Sequence, residues 1–190
     1  MILPVVAFGD PVLKKVAVDI DATYPDLQQL IANMFDTMYN AKGVGLAAPQ
    51  IGRSIRLFIV DATPFSEDPE NEEEAALAGF KRVFINAKIT DESGKEWAFN
   101  EGCLSIPKIR EDVMRKPELN ITYVDENFQR HTEKFKGLAA RIIQHEYDHI
   151  EGKLFTDRIS PLRKRLLQSK LNDISKGRVE VEYRMRFPNK

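Results

Sequence analysis

Two histidines and a glutamate stand close together late in the chain, within residues 144–149. His145 and His149 are four residues apart, so on a helix they share one face and can bind one metal ion from consecutive turns. Glu146 lies one step, about 100°, around the helix from His145, where it can handle protons beside the ion without binding it. This H-E-x-x-H pattern predicts a catalytic metal site.

The pattern supplies only two ligands, whereas a catalytic metal site usually has three protein ligands and one open position. Phe155 stands where one group of zinc proteases carries a third histidine, and its side chain cannot bind a metal. His131 lies in a strand-like segment and is interpreted as a strand or surface histidine. A downstream carboxylate, Asp157 or Asp173, stays open as the third ligand.

Cys103 is the only cysteine, and its neighbours are not typical of core packing. Gly102 permits a close approach of the backbone, and Pro107 interrupts regular structure. A thiolate is a strong ligand for a divalent transition metal, and the ion keeps it deprotonated. Since the metal helix lacks one ligand, we predict that Cys103 supplies it.

The composition limits the classes of protein that this chain can form. Its 190 residues, 43% hydrophobic and 30% charged, predict one globular domain over residues 1–190. No apolar run of about 18 residues is present, so no membrane partner is expected. The net charge of −1 argues against direct, sequence-specific nucleic-acid binding. A lone cysteine and the lack of a secretory signal favour the cytoplasm.

Three helices are predicted from apolar periodicity, over residues 25–41, 136–151 and 161–176. The second of these carries the H-E-x-x-H pattern. For the first helix, Thr23 is expected to cap the start, and Gly43 is expected to adopt the left-handed conformation at the end.

The remaining pattern predicts strands in mostly hairpin order. They are expected at residues 56–60, 83–85, 95–99, 119–124, 130–135 and 179–185. The acidic stretch 62–79 is predicted to be a solvated loop or insertion. We therefore predict an α+β fold. Antiparallel sheets would pack around the central H-E-x-x-H helix, with an N-terminal helix and a C-terminal helix plus strand.

Three short motifs resemble those of the peptide deformylases and occur in that family's order. They are GVGLAAPQ at residues 43–50, EGCLS at 101–105 and QHEYDH at 144–149. Residues 10–13 are also similar to the family's opening segment, and the resemblance covers roughly residues 2–160. It implies a hydrolase that removes the N-formyl group from the N-terminal formyl-methionine of newly made polypeptides and releases formate.

The resemblance also implies a role for each matched residue in the reaction. Cys103, His145 and His149 would bind one divalent metal ion, most often Fe²⁺ in the cell, which Zn²⁺, Ni²⁺ or Co²⁺ can replace. Glu146 would be the general acid and base.

The substrate is expected to contact five further matched positions. Gln50 and the backbone N–H of Leu104 would bind the formyl oxygen. Gly45 would supply a backbone contact, and Val44 and Ile142 would line the methionine pocket.

Two features depart from the compact bacterial members of that family, namely the acidic stretch and the variable C-terminal region 161–190. The basic residues of the last helix are interpreted as a solvated helix face, with a transient ribosome contact, as in some members of the family, as the alternative. They are Arg163, Lys164, Arg165 and Lys170.

Two other functions were weighed against deformylation. A zinc endopeptidase is disfavoured by Phe155 and by the motif around Cys103. A non-enzymatic member that only binds nascent chains or ribosomes is disfavoured because Glu146 is retained.

Overall fold

The computed structural model describes residues 1–189, and it contains four α-helices and nine strands there. The helices are α1 (Leu27–Asn40), α2 (Glu72–Ala75), α3 (Gly137–Ile150) and α4 (Pro161–Ser175). The strands are β1 (Val5–Val6), β2 (Gly45–Ala47), β3 (Leu57–Asp61), β4 (Lys81–Ser93), β5 (Trp97–Cys103), β6 (Ile106–Arg115), β7 (Glu118–Val124), β8 (Arg130–Lys136) and β9 (Met185–Arg186). None of the helices in residues 1–189 is long and apolar enough to cross a bilayer.

The strands form three separate sheets. Five antiparallel strands make the largest, in the order β2-β3-β4-β7-β8, so β2 lies at one of its edges. Strands β5 and β6 form an antiparallel pair, and the short strands β1 and β9 pair in parallel. The predicted α+β class is confirmed.

Helix α3 lies between the five-stranded sheet and the β5–β6 pair. On the sheet side its Ile143 and Ile150 are fully buried in one apolar cluster with Phe58 and Phe84. On the other side Arg141 donates to the carbonyl oxygens of residues in β5 and β6, at 2.7 and 2.9 Å. Burial on both sides holds the H-E-x-x-H helix at the centre of the molecule, as predicted.

The ends of α1 differ from the prediction. Thr23 does not cap the helix, because its backbone N–H donates to Asp21 Oδ1 (2.8 Å) in a local turn. The residue before α1 is Asp26, which has a left-handed φ of 54° and caps nothing with its side chain. At the other end the left-handed residue is Lys42, also with a φ of 54°, and Gly43 follows it without a positive φ.

The acidic stretch 62–79 is mostly exposed, as predicted, but it carries local structure. It contains a 3-10 turn at Thr63–Phe65 and the short helix α2, which Asn71 caps by accepting from the N–H of Glu73 (3.0 Å). Leu77 is buried in the main apolar cluster. Burial of this one apolar side chain fixes the stretch to the core at its C-terminal end.

Strand β6 was absent from the prediction. Its buried positions alternate as in any half-buried strand, but they include charged Glu111 and Arg115 beside apolar Ile109 and Val113. Charged residues on the inner face obscured the apolar alternation on which the prediction depends.

The strand predicted at 179–185 is wrong in extent. Only Met185 and Arg186 pair, with Val5 and Val6 of β1. Residues 179–184 show the expected alternation of burial but are not part of a strand in the described residues 1–189. Val179 packs against an apolar cluster, and Val181 and Tyr183 line a cavity.

Candidate metal centre

Three side chains from two elements meet at one point. Helix α3 supplies His145 and His149, and Cys103 is the last residue of β5. One ligand atom of each lies within 4.8 Å of the other two, and no other group of this kind occurs in the described chain, residues 1–189. The Sγ of Cys103 is 3.4 Å from Nε2 of His149.

The local backbone brings Cys103 to the helix. The register of β5 and β6 shifts between Gly102 and Cys103, and a two-residue turn, Leu104 and Ser105, follows. A Cβ at Gly102 would lie 2.7 Å from Nη1 of Arg110, so a side chain at this position would displace the Arg110 guanidinium.

Electrostatics at this point favour a thiolate. Burial raises the pKa of Cys103, but the charges and hydrogen bonds of His149 and His145 outweigh it and lower the pKa to about 5. Burial lowers the pKa of His145, while hydrogen bonds to Cys103 and Glu101 raise it well above its usual value. A thiolate with two imidazoles is a donor set that suits a divalent transition metal.

Glu101 orients the imidazole of His145 from its Nδ1 side. Its Oε2 accepts a hydrogen bond from Nδ1 of the imidazole (2.9 Å), which leaves Nε2 free to face the cysteine and the second histidine. Arg115 donates to both oxygens of Glu101 (2.7 and 2.9 Å), and Arg141 donates to Oε1 (2.9 Å). Burial raises the pKa of Glu101, but Arg115 and His145 lower it well below its usual value.

Asp148 of the third motif has a structural role in the same network. It accepts hydrogen bonds from Arg115 (2.8 Å) and from Arg158 (2.5 and 2.7 Å), which tie α3 to β6 and to the following loop. Sequence reasoning missed these partners. Glu101 could have been found because it stands inside the second motif, whereas nothing in the spacing marks Arg115 or Arg158.

Glu146 is the buried carboxylate of the site, with only 4% of its surface exposed. Its Oε2 has no hydrogen-bond partner. Burial raises its pKa to about 7, against the opposing charges of His145 and His149. A carboxylate with this pKa can take up and release a proton near neutral pH.

Gln50 is held with its amide in one orientation. Its Oε1 accepts from the N–H of Ala47 (2.9 Å), so its Nε2 must be the end that faces Cys103. That Nε2 lies 3.4 Å from Sγ of Cys103 and 3.3 Å from Oγ of Ser105. The residue following the cysteine, Leu104, occupies the adjoining turn.

A cavity of about 630 Å³ opens beside these residues. Eight of the nine residues predicted for the site line it, and the ninth, His149, is buried behind them. The eight are Val44, Gly45, Gln50, Cys103, Leu104, Ile142, His145 and Glu146.

The alternative third ligands lie elsewhere. His131 lies on the edge strand β8, and its Nε2 is 2.7 Å from Oδ2 of Asp125. Asp157 pairs with Lys14 and Lys164, and Asp173 faces Arg178. Among the candidates weighed from the sequence, only Cys103 meets the two histidines.

The α+β fold and a Cys-His-His group beside a buried glutamate in an open cavity define a metal-dependent hydrolase. A sequence model of the polypeptide deformylase family matches residues 2–165. The chain therefore belongs to the polypeptide deformylase family.

Relatives and solved structures agree with this assignment. The peptide deformylase of Christiangramia forsetii is 62% identical over 100% of this chain and 97% of its own length. That of Flavobacterium johnsoniae is 61% identical over 98% of this chain and 96% of its own. A crystal structure of a peptide deformylase from Legionella pneumophila, 35% identical, superposes with a TM-score of 0.79 and covers 94% of this chain and 98% of that one.

The chain is accordingly a metal-dependent hydrolase that removes the N-formyl group from newly made polypeptides. The deformylase activity predicted from the three motifs is confirmed. The endopeptidase and non-enzymatic alternatives are set aside, because this activity is the one shared by the family.

Proposed function

We propose that Cys103, His145 and His149 are the ligands of the catalytic ion in this deformylase, and that Glu146 moves the protons. The observation that carries this proposal is the meeting of the three ligand atoms beside a buried carboxylate oxygen that has no partner of its own. The donor set fits a divalent ion, since the pKa of Cys103 is low and Glu101 holds the proton of His145 on Nδ1. When bound, the ion acts as a Lewis acid that makes water a nucleophile at neutral pH.

Glu146 suits the proton transfers of amide hydrolysis. A pKa near 7 lets its carboxylate accept a proton from the attacking water and then deliver it to the leaving amine. The products are formate and a peptide with a free N-terminal methionine.

Gln50 and Leu104 are proposed to stabilise the negative charge that develops on the formyl oxygen. The Nε2 group of Gln50 is preorganised for this by the bond between its Oε1 and Ala47. The backbone N–H of Leu104 is proposed as the second donor. Losing one donor of such an oxyanion hole typically costs about 10²–10³ in rate.

The substrate peptide is proposed to lie along β2. This strand is an edge of the five-stranded sheet, and both Val44 and Gly45 line the cavity at its start. An extended peptide can add to such an edge through main-chain hydrogen bonds. Val44 and Ile142 would then form the apolar pocket for the methionine side chain.

The ion in the cell is proposed to be Fe²⁺. A mixed thiolate and imidazole site also accepts Zn²⁺, Ni²⁺ or Co²⁺, so the ligands alone do not select iron. Protein purified without oxygen should contain iron and release formate, and both should fall on exposure to air. Zinc at full occupancy in fresh anaerobic protein, with high activity, would contradict this.

We propose that the chain forms one domain that works in the cytoplasm. The last residue of the predicted domain, 190, lies outside the described residues. Newly made polypeptides are the substrate, and a reducing compartment keeps Cys103 free for the ion. In this view the acidic stretch 62–79 is an insertion in a surface loop.

A transient ribosome contact through α4 is also proposed. Arg163 and Lys164 pair with Glu111 and Asp157, whereas the remaining basic residues, Arg165 and Lys170, are exposed.

Deleting the helix would remove buried Leu171 and unfold the region, so charge reversal is the better test. The double variant Arg165→Glu, Lys170→Glu should co-sediment less with ribosomes. A control with two exposed lysines reversed elsewhere, Lys88→Glu and Lys95→Glu, should bind normally. If both variants bind ribosomes equally well, the proposed ribosome contact is refuted.

Formate release from formyl-Met-Ala-Ser tests the proposed roles directly. Glu146→Ala should keep its metal and lose turnover by several orders of magnitude, while Glu96→Ala, an exposed glutamate in the loop before β5, should behave as wild type. Near-normal turnover in Glu146→Ala would show that Glu146 does not transfer protons in the reaction.

A further inference from the structure

The C-terminal segment reaches the catalytic cavity, although no catalytic motif lies there. Val181 and Tyr183 are half-buried and line the same cavity as Cys103 and Glu146. The phenol hydroxyl of Tyr183 donates a hydrogen bond to the carbonyl oxygen of Leu104 (2.7 Å). A residue 79 positions along the chain thus contacts the turn that follows the metal-binding cysteine.

That turn does not have the backbone conformation that two-residue hairpins favour. Two-residue hairpin turns favour residues with positive φ, yet neither Leu104 nor Ser105 has one. The carbonyl of Leu104 accepts from Tyr183, and the carbonyl of Ser105 accepts from the N–H of Phe8 (2.9 Å). The turn is therefore held by contacts from both ends of the chain in addition to its own pairing.

The segment that carries Tyr183 is itself anchored. The N–H of Val5 donates to the carbonyl of Arg184, and that of Ala7 donates to Arg186, both at 2.9 Å. The ion pair between Lys42 and Glu182 is almost fully exposed and contributes little. Backbone pairing next to Tyr183 therefore fixes the position of its hydroxyl.

We propose that Tyr183 is a positioning residue for deformylation, whose hydroxyl holds the Leu104 carbonyl and so keeps the backbone N–H of Leu104 aligned with the formyl oxygen. The carbonyl and the N–H of Leu104 lie in the two peptide planes that meet at its Cα. A hydrogen bond that fixes the carbonyl plane therefore restrains ψ of Leu104 and limits how far the turn, with its N–H, can shift. This inference rests on the proposed role of Leu104 as a donor to the formyl oxygen. Burial raises the pKa of Tyr183, so its hydroxyl stays a donor at neutral pH.

Removing the hydroxyl oxygen of Tyr183 tests this positioning role. Tyr183→Phe keeps the ring that lines the cavity and removes the hydroxyl. We expect kcat on formyl-Met-Ala-Ser to fall about 5- to 10-fold, the size of one lost hydrogen bond, with KM within about twofold of wild type and metal content unchanged. Tyr123→Phe is the matched control, since it removes a tyrosine hydroxyl bonded to Glu133 away from the cavity, and its kcat should match wild type.

The possible outcomes distinguish failure of the Tyr183 role from failure of the proposed function. A kcat for Tyr183→Phe equal to wild type, or a raised KM with unchanged kcat, overturns the positioning role, because the segment would then only support the cavity or contact the peptide. If Gln50→Ala and Glu146→Ala lose activity in the same assay, the proposed function stands when the Tyr183 inference fails. Full activity in Gln50→Ala would instead overturn the proposed role of Gln50 in the oxyanion hole.

Discussion

The backbone of Gly45 lies directly against the side chain of Glu146. A Cβ at position 45 would sit 2.7 Å from both Cγ and Cδ of this glutamate, which is closer than carbon atoms can approach. Gly45 stands at the start of the edge strand β2, and Glu146 lies on α3, so the absence of one side chain lets the sheet edge and the catalytic helix meet. Gly45 of the first motif thus leaves room for the buried carboxylate as well as for the proposed peptide groove.

Gly45→Ala should displace Glu146 and reduce turnover. The added methyl group has no free space, so the carboxylate or the strand must shift, and a misplacement of this order can cost about 100-fold in rate. We expect kcat for formate release to fall about 10- to 100-fold, with the metal still bound. Steady-state kinetics and metal analysis on the same sample measure both.

Gly79→Ala is the control for that substitution. Nothing lies within 4 Å of a Cβ there, although its φ of +69° makes any side chain strained. Gly79→Ala should lower the free energy of unfolding by roughly 1 kcal/mol and leave kcat unchanged. Wild-type kcat in Gly45→Ala would show that Glu146 does not depend on this contact.

Glu101→Gln should weaken metal binding without touching a ligand. Glu101 accepts from Nδ1 of His145, and the loss of such an orienting carboxylate typically costs about 10- to 100-fold in metal affinity. Competition with a chelator would measure the change on protein whose fold is verified by circular dichroism, since Arg115 also loses a charged partner. Glu118→Gln, which disturbs the contacts of Glu118 with Lys134 and Ser93 away from the site, should bind metal normally. An unchanged affinity in Glu101→Gln would refute the orienting role.

Cys103→Ala and Glu146→Ala should separate metal binding from proton transfer. Removing the thiolate leaves two imidazoles, which hold a catalytic ion poorly, so Cys103→Ala should purify with little metal and little activity. Glu146→Ala should purify with full metal and little activity. Elemental analysis of the two proteins in parallel is the measurement. Full occupancy in Cys103→Ala would mean that another residue is the third ligand.

Asp157 should make stability depend on acid pH. Burial raises its pKa, but hydrogen bonds from Lys14 and Lys164 outweigh this and lower the pKa to about 2, below the unfolded value of about 3.9. A carboxyl group with a lower pKa in the folded state stabilises the protein above about pH 4, and this contribution is lost as the pH falls towards 2.

Asp157→Asn should therefore lower the free energy of unfolding at pH 7 and lose this effect in acid. Both lysines are partly exposed, so we expect about 1 kcal/mol at pH 7. Urea unfolding of wild type and variant at pH 7, 5 and 3 would show the difference shrinking. Asp91→Asn, an exposed carboxylate of β4, should show none. A difference that grows towards pH 3 would contradict the direction of the shift.

The helix that carries His145 and His149 was predictable because its pattern follows from local rules. The four-residue spacing of His145 and His149 defines a helix face, and the two histidines required a third ligand that only a few residues could provide. Strands with one apolar face were also found in this way, whereas β6 was missed because Glu111 and Arg115 lie on its inner side.

What the sequence by itself determined was the chemistry, namely which residue types could bind an ion, move a proton and present small backbone groups, and the family whose motifs they match. Only the tertiary structure decided that Glu101 orients His145, that Arg115 joins Glu101 to Asp148, and that the Tyr183 hydroxyl reaches the Leu104 carbonyl. These pairs are 14 to 79 residues apart along the chain. Spacing along the sequence reports neighbours within a helix or strand, whereas contacts between elements depend on how the core packs.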